Sequence, residues 1–204
     1  IMQIKLSKME QNHEVIDVIK NIINSGCYVN GPHIESFEKK LAQYFNSKYA
    51  LTVNSGTSAL LSVILALDLE KGDEIIVPSM TFFATISPLL LLKGIKIKFV
   101  EIDPTTYCID EFDIINNLTN RTKAIIPVHL YGRIANIEKI IQIGRENEIM
   151  VIEDSCQAHG AELNGKKAGT FGFAGCFSLY PSKNLSVCGP GGFVLTDNKE
   201  MYDK

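Results

Sequence analysis

Residues 150–154 read MVIED, three apolar residues that run directly into two carboxylates. Two further runs, EIIVP at 74–78 and AIIPV at 124–128, are equally short and rich in isoleucine and valine. Runs that are hydrophobic on both faces are typical of strands buried in a parallel sheet between layers of helices. These segments predict a mostly parallel α/β sheet, with functional residues expected at the carboxyl ends of its strands.

The chain alternates strand-like and helix-like segments on either side of these runs. We predict strands at 49–53, 74–77, 96–101, 124–128 and 150–153, and helices at 57–68, 83–92, 110–117 and 136–147. Two more helices are expected over 9–24 and 34–45. After Gly172, strands at 175–180 and 192–196 follow each other without room for a crossover helix, so one of them should be antiparallel. The expected fold is a single α/β domain with helices on both faces of the sheet.

Composition and charge exclude several classes of protein. Of the 204 residues, 46% are hydrophobic and 21% are charged, and the net charge is -3, which gives no electrostatic basis for binding nucleic acid. No apolar run reaches the roughly 18 residues that cross a membrane, and the longest, 86–92, is interpreted as a buried helix. The N-terminus lacks a secretory signal pattern, and the five cysteines show no CxxC spacing. We therefore expect a cytoplasmic protein with reduced thiols and neither nucleic acid nor membrane as a partner.

The first polar strand end is the segment NSGTS at 54–58, between a predicted strand and a predicted helix. Gly56 would let the backbone approach a ligand closely. The N–H groups of the first helical turn, with the hydroxyls of Thr57 and Ser58, favour an anion such as phosphate. A plain serine or threonine N-cap would explain the same segment, so the motif alone does not decide between the two.

The second polar strand end is EDSCQAH at 153–159. A carboxylate in this place can bind a metal, act as a base, hold a protonated ring nitrogen or cap a helix. No second carboxylate or His/Cys set stands at metal-ligand spacing, so we predict no metal site. His159 has two open interpretations, a packed and hydrogen-bonded residue or a catalytic one.

The third polar strand end is SLYPSKN at 178–184, followed by GPGG at 189–192. A lysine between a strand and a glycine-rich loop is usually solvated. Near an acid and an anion site, however, Lys183 could form an imine with an aldehyde cofactor. Each segment is a weak signal alone, and their order along the chain is the informative part.

In this order the segments resemble the DegT/DnrJ/StrS family of nucleotide-sugar aminotransferases, which depend on pyridoxal 5'-phosphate (PLP) and share the aspartate-aminotransferase fold (fold type I). The Asp-x-x-Gln-x-His and Ser-x-x-x-x-Lys signatures are specific when they occur together. The similarity covers nearly the whole chain, through SGCYVNGPHIESFE, VNSGTSAL, GDEIIVPSMTFFAT, FVEIDPTTYCID, AIIPVHLYGR, VIEDSCQAHGA and CFSLYPSKNL.

The resemblance implies a role for each of seven residues. Lys183 would be the catalytic lysine that holds PLP as a Schiff base, and Asp154 would pair with the pyridine nitrogen. The remaining five would bind the phosphate (Gly56, Thr57 and Ser178), stack on the ring (Phe82) or lie against the ring near its hydroxyl (Gln157). Further candidates with no assigned role are Ser58, His159 and Asn184.

The resemblance also implies a domain layout and a reaction. Residues 1–204 would form the PLP-binding large domain, with a helical segment over about 1–46, and the family's small C-terminal domain is expected to be missing. A homodimer would move an amino group from an amino acid, glutamate by family habit, to a nucleotide-linked keto sugar. The alternatives are a sugar dehydratase of the same fold, in which histidine replaces Lys183, or a truncated dimerisation or regulatory module. Pro190 departs from the family, which usually has an acidic residue there.

Overall fold

The structure is a computed structural model that describes residues 13–204, so residues 9–12 of the first predicted helix lie outside the described part. The helices are α1 (His13–Ser25), α2 (Pro32–Phe45), α3 (Gly56–Leu65), α4 (Glu111–Asn117), α5 (Ile137–Glu146) and α6 (Lys199–Asp203). The strands are β1 (Tyr49–Val53), β2 (Glu74–Pro78), β3 (Lys96–Val100), β4 (Thr122–Ile125), β5 (Met150–Asp154), β6 (Glu162–Leu163), β7 (Lys166–Lys167), β8 (Ala174–Ser178) and β9 (Gly192–Thr196).

Seven strands form one sheet in the order β1-β9-β8-β5-β4-β2-β3. Strand β9 runs antiparallel to both of its neighbours, β1 and β8, whereas the other neighbouring strands pair in parallel. The predicted fold class is therefore confirmed, including the antiparallel strand near the C-terminal end. Strands β6 and β7 form a separate two-stranded hairpin.

The buried strand β2 shows why helices cover both faces of the sheet. Ile75 and Val77 belong to the core on the α3 side, and Ile76 belongs to the core on the α5 side. Successive side chains of a strand point to opposite faces, and all three are fully buried. The continuous apolar run in the sequence thus becomes two cores, one on each face.

The predicted helix over 83–92 is wrong. The structure has two short 3₁₀ turns instead, Phe83–Thr85 and Leu89–Leu91. Pro88 lacks an N–H and restricts the residue before it, so a continuous helix cannot run through this position. Leu90 and Leu91 are 62% and 68% exposed, so the interpretation of 86–92 as a buried helix is wrong as well.

Two smaller differences also have local causes. Strand β4 ends at Ile125, two residues before Pro127, which cannot donate to a strand ladder. The β6–β7 hairpin was not predicted, although its turn residues Asn164 and Gly165 have positive φ values of 51° and 79° and form the dipeptide most typical of tight hairpins. None of the helices within residues 13–204 has the length and apolar character needed to cross a bilayer.

Candidate functional site

A cavity of about 460 Å³ opens at the carboxyl ends of β5 and β8, beside the first turn of α3. The loops that follow β2, β5 and β8 all contribute to its walls, as expected for a parallel α/β sheet. The seven residues assigned a role from the sequence all line this one cavity: Gly56, Thr57, Phe82, Asp154, Gln157, Ser178 and Lys183.

The amino end of α3 presents free N–H groups to the cavity. The Ser55 hydroxyl caps the helix by accepting from the Ser58 N–H at 3.1 Å. Helical hydrogen bonding then begins with the Ala59 N–H, which donates to the Ser55 carbonyl at 3.0 Å. The N–H groups of Gly56 and Thr57 precede this bond and have no partner within the helix. Together with the helix dipole they form a site suited to an anion.

Gly56 is required for the close approach of α3 to the end of β8. A Cβ atom built on Gly56 would lie 2.8 Å from both the Cys156 Sγ and the Ser178 Cβ. The Ser178 hydroxyl oxygen accepts from the Tyr180 N–H at 3.3 Å, so its own proton is left to donate into the cavity. The helix N–H groups and this hydroxyl therefore supply hydrogen-bond donors to the same part of the cavity.

Asp154 is held in a fixed orientation at the floor of the cavity, where it is only 5% exposed. The Thr85 hydroxyl donates to its Oδ2 at 2.6 Å, and the Cys156 N–H donates to its Oδ1 at 3.2 Å. The Thr81 hydroxyl lies 2.7 Å from that of Thr85. Burial, followed by the negative charge of Asp154, raises the pKa of the Cys156 thiol well above its ordinary value, so this cysteine stays protonated.

Lys183 and Asp154 are the two charged side chains among the described residues that line the cavity. Lys183 lies in the turn after β8, where its N–H donates to the Tyr180 carbonyl at 2.8 Å. The residue is partly exposed and lines the cavity, so its side chain is accessible to a ligand. The cavity therefore combines the amine of Lys183, the carboxylate of Asp154 and the anion site at the amino end of α3.

Gln157 and Phe82 complete the cavity with a directed donor and an aromatic face. The Gln157 Oε1 accepts from the Tyr131 N–H at 3.0 Å, so its Nε2 is left to donate. Phe82 is 68% exposed at the rim, where its ring is free to stack on a flat ligand.

The three further candidates do not line the cavity. The Ser58 hydroxyl is occupied by Asn54 Oδ1 at 2.5 Å and by the Ser55 hydroxyl at 3.0 Å. Asn184 is exposed. His159 packs against the Phe177 ring at 5.3 Å, and both of its ring nitrogens are buried without a hydrogen-bond partner among the described residues.

His159 is neutral at physiological pH. Burial lowers the pKa of its ring to about 4 and the charge of Lys183 adds to this, while the nearby Ser178 backbone opposes the shift without reaching hydrogen-bond geometry. The sequence left open whether His159 is a packed and hydrogen-bonded residue or a catalytic one. The structure shows the packing, but no hydrogen bond to the ring from the described residues.

Glu153, next to Asp154, has a different environment on the other face of β5. Both Glu153 and His129 are fully buried, and the His129 Nε2 lies 2.9 Å from the Glu153 Oε2. The Ala135 N–H donates to the His129 Nδ1 at 3.2 Å, so the ring proton sits on Nε2 and donates to Glu153. The carboxylate also accepts at 2.6–2.7 Å from three backbone N–H groups, those of Gly169, Phe171 and Gly172. This Glu153 cluster ties two loops to β5, and no motif in the sequence indicates it.

Pro190 lines the cavity and supplies neither a carboxylate nor an N–H. Asp154 is therefore the sole carboxylate in the described lining. Across residues 13–204, no group of three or more His, Cys, Asp or Glu side chains could hold a metal ion.

Comparison with known proteins gives consistent matches over nearly the whole chain. The model of the DegT/DnrJ/EryC1/StrS aminotransferase family matches residues 9–204. The dTDP-3-amino-3,6-dideoxy-alpha-D-galactopyranose transaminase of Aneurinibacillus thermoaerophilus is 39% identical over 203 residues, which cover 100% of this chain and 56% of that protein. The 3-oxo-glucose-6-phosphate:glutamate aminotransferase of Bacillus subtilis (strain 168) is 37% identical over 200 residues, covering 98% and 44%.

A solved structure shows the same fold. It is a GDP-4-keto-6-deoxymannose-3-dehydratase with a trapped PLP-glutamate geminal diamine, which matches with a TM-score of 0.92 and 36% identity over 98% of this chain and 53% of that one. The chain thus spans about half the length of the relatives that it matches. The family model covers far more than half of this chain, so the chain belongs to the DegT/DnrJ/EryC1/StrS aminotransferase family.

Proposed function

We propose that residues 1–204, with α1 and α2 towards the N-terminal side, form the PLP-binding large domain of an aminotransferase. The reaction would move an amino group from an amino acid, with glutamate as the first donor to test, to a nucleotide-linked keto sugar. The observation that carries this proposal is the single cavity that joins Lys183, Asp154 and the amino end of α3. The relatives named above for a dTDP-linked sugar and for a glutamate aminotransferase support the two substrate classes.

The cavity offers a matching group for each functional part of PLP. The N–H groups of Gly56 and Thr57, with the Ser178 hydroxyl, would hold the phosphate dianion. Asp154 would pair with the ring nitrogen, and the Nε2 of Gln157 would donate to the ring oxygen. This leaves the Lys183 amine for the aldehyde and the Phe82 ring for stacking on the pyridine. The donor set and the cradle at Gly56 therefore fit the cofactor.

The residues of the chain would bind, orient and move protons around the cofactor. Bound PLP supplies an acceptor for the electron pair that remains when the Cα–H bond of the donor breaks. Ionised Asp154 would keep the ring nitrogen protonated, because its negative charge stabilises a positive one nearby. With the donor amine in place on the cofactor, the Lys183 Nζ would be a free amine that could take the proton from the donor Cα and deliver it to the former aldehyde carbon of the cofactor. The phosphate contacts would fix the cofactor with its reactive carbon in reach of Lys183.

The lysine at 183 favours amine transfer over the dehydratase alternative, in which histidine would stand there. We further propose a homodimer, since Phe82 and Tyr180 at the cavity rim and Phe83 beside Phe82 are more than half exposed. All five cysteines are free thiols, which supports the proposed cytoplasmic location.

Loading the chain with PLP and adding glutamate tests the proposed activity. We expect release of 2-oxoglutarate in a single turnover, followed by amination of an added nucleotide-linked keto sugar. Chromatography of the keto acid and mass spectrometry of the sugar would measure the two steps. If PLP binds but neither glutamate nor any other amino acid yields its keto acid, the amine-transfer proposal is wrong for this chain and the non-catalytic module is favoured.

A further inference from the structure

We propose that Thr85 is a positioning residue for Asp154 and that Thr81 supplies the hydrogen bond that orients Thr85. The three side chains form a directed chain of hydrogen bonds from the cavity wall to the acid. This inference rests on the proposed PLP site and adds what orients Asp154 toward the cofactor.

The contact between Thr85 and Asp154 is buried and short. Thr85 is 1% exposed, and its hydroxyl lies 2.6 Å from the Asp154 Oδ2. The 3₁₀ turn after β2 places it there, with the Thr85 N–H donating to the Phe82 carbonyl at 3.0 Å. Hydrogen bonds to an ionised carboxylate are shorter and stronger than neutral ones. The same turn therefore carries both the exposed Phe82 ring and the buried Thr85 hydroxyl that donates to Asp154.

The direction of the protons follows from counting them. An ionised carboxylate can only accept, so the single hydroxyl proton of Thr85 goes to Asp154. The 2.7 Å contact between Thr81 and Thr85 must then use the proton of Thr81. Thr81 lines the cavity and presents only acceptor lone pairs to it. A ligand group that contacts the Thr81 oxygen must therefore be a donor.

The effect of this chain is to fix both oxygens of Asp154. Its Oδ1 accepts from the Cys156 N–H and its Oδ2 accepts from Thr85, so rotation of the carboxylate would break both bonds. A protonated pyridine nitrogen carries a single N–H, so the carboxylate must present a lone pair along that one direction. Without Thr85 the buried carboxylate would lose a partner and its orientation.

A second buried threonine shows what an ordinary structural hydroxyl looks like in this chain. Thr196 is 6% exposed and its hydroxyl donates to the Phe173 carbonyl at 2.8 Å. It does not line the cavity. Thr196→Val is therefore a matched control for Thr85→Val, because each removes one buried hydroxyl and keeps the shape of the side chain.

The test measures the dissociation constant for PLP and for an analogue in which C–H replaces the ring nitrogen. We expect Thr85→Val to weaken PLP binding by about tenfold or more, Thr85→Ser to restore it, and Thr196→Val to leave it unchanged. The analogue cannot donate to Asp154, so Thr85→Val should change its affinity less than about twofold. Thr81→Val should show a smaller loss of the same kind, and it decides the question if Thr85→Val does not fold.

Each contrary outcome has a distinct meaning. An equal loss of affinity for PLP and the analogue would show that Thr85 acts through packing, which overturns the proposal. Unchanged PLP binding by folded Thr85→Val would also overturn it. If the unsubstituted chain bound no PLP, the proposed function would fail first and the role of Thr85 with it. Melting curves without PLP establish which variants are folded.

Discussion

Glu153→Gln is expected to destabilise the chain by about 2–6 kcal/mol, because two buried N–H donors lose their acceptor at a cost of about 1–3 kcal/mol each. Each oxygen of this buried carboxylate accepts two hydrogen bonds, Oε1 from Phe171 and Gly172 and Oε2 from Gly169 and His129. A glutamine can turn its amide either way, but its NH₂ group would always face two N–H donors. The free energy of unfolding in urea would measure the loss.

Glu162→Gln is the matched control for this prediction. Glu162 is half exposed and its carboxylate lies 3.7 Å from the Lys167 Nζ, an ion pair expected to contribute at most about 1 kcal/mol. An unfolding free energy of Glu153→Gln within about 1 kcal/mol of the unsubstituted chain would contradict the structural role of the Glu153 cluster.

Asp154→Asn is expected to weaken PLP binding by about 30-fold or more, because truncating one partner of a buried charged pair costs about 2 kcal/mol or more. Asparagine keeps the size of the side chain and can still accept from Thr85 or Cys156. It cannot supply the negative charge that holds a protonated ring nitrogen. Titration of PLP absorbance or fluorescence would measure the change.

The control for Asp154→Asn is Asp203→Asn, which removes an exposed carboxylate paired with Lys199 on α6, outside the cavity. Asp203→Asn should bind PLP like the unsubstituted chain. If Asp154→Asn bound PLP equally well, Asp154 would not contact the ring nitrogen. The expected loss exceeds that of Thr85→Val because the charge itself is removed.

The sheet could be predicted because its strands carry their own signal. The apolar runs of β2 and β5 indicate buried strands, and a loop without a crossover helix between β8 and β9 indicates an antiparallel pair. The helix expected over 83–92 failed because the apolar run at 86–92 was interpreted as a buried helix, whereas Pro88 divides the segment into two turns. One proline therefore outweighed the composition of its neighbours.

Residues of the candidate site were found where they stand in a sequence motif. Lys183, Asp154 and Gly56 lie at strand ends, and the resemblance supplied their proposed roles. Ser58 carries the same motif signal, but its hydroxyl is used locally by Asn54. Which hydroxyl of NSGTS faces the cavity depends on the cap geometry of α3, and spacing alone does not specify this.

Supporting residues were missed because their partners are far away in the sequence. Thr85 and Asp154 are 69 residues apart, and His129 and Glu153 are 24 residues apart on neighbouring strand ends. Nothing in the local pattern distinguishes Thr85 from any other threonine in a turn. Only strand order and register bring these groups together.

Trapping the cofactor tests the central claim, that Lys183 holds PLP in this cavity, most directly. The folded chain would be mixed with PLP, reduced with borohydride and digested, and the modified peptide would be located by mass spectrometry. We predict a pyridoxyl adduct on Lys183, and no adduct in Lys183→Ala. A folded chain that gave no adduct, or an adduct on another lysine that persisted in Lys183→Ala, would contradict the account.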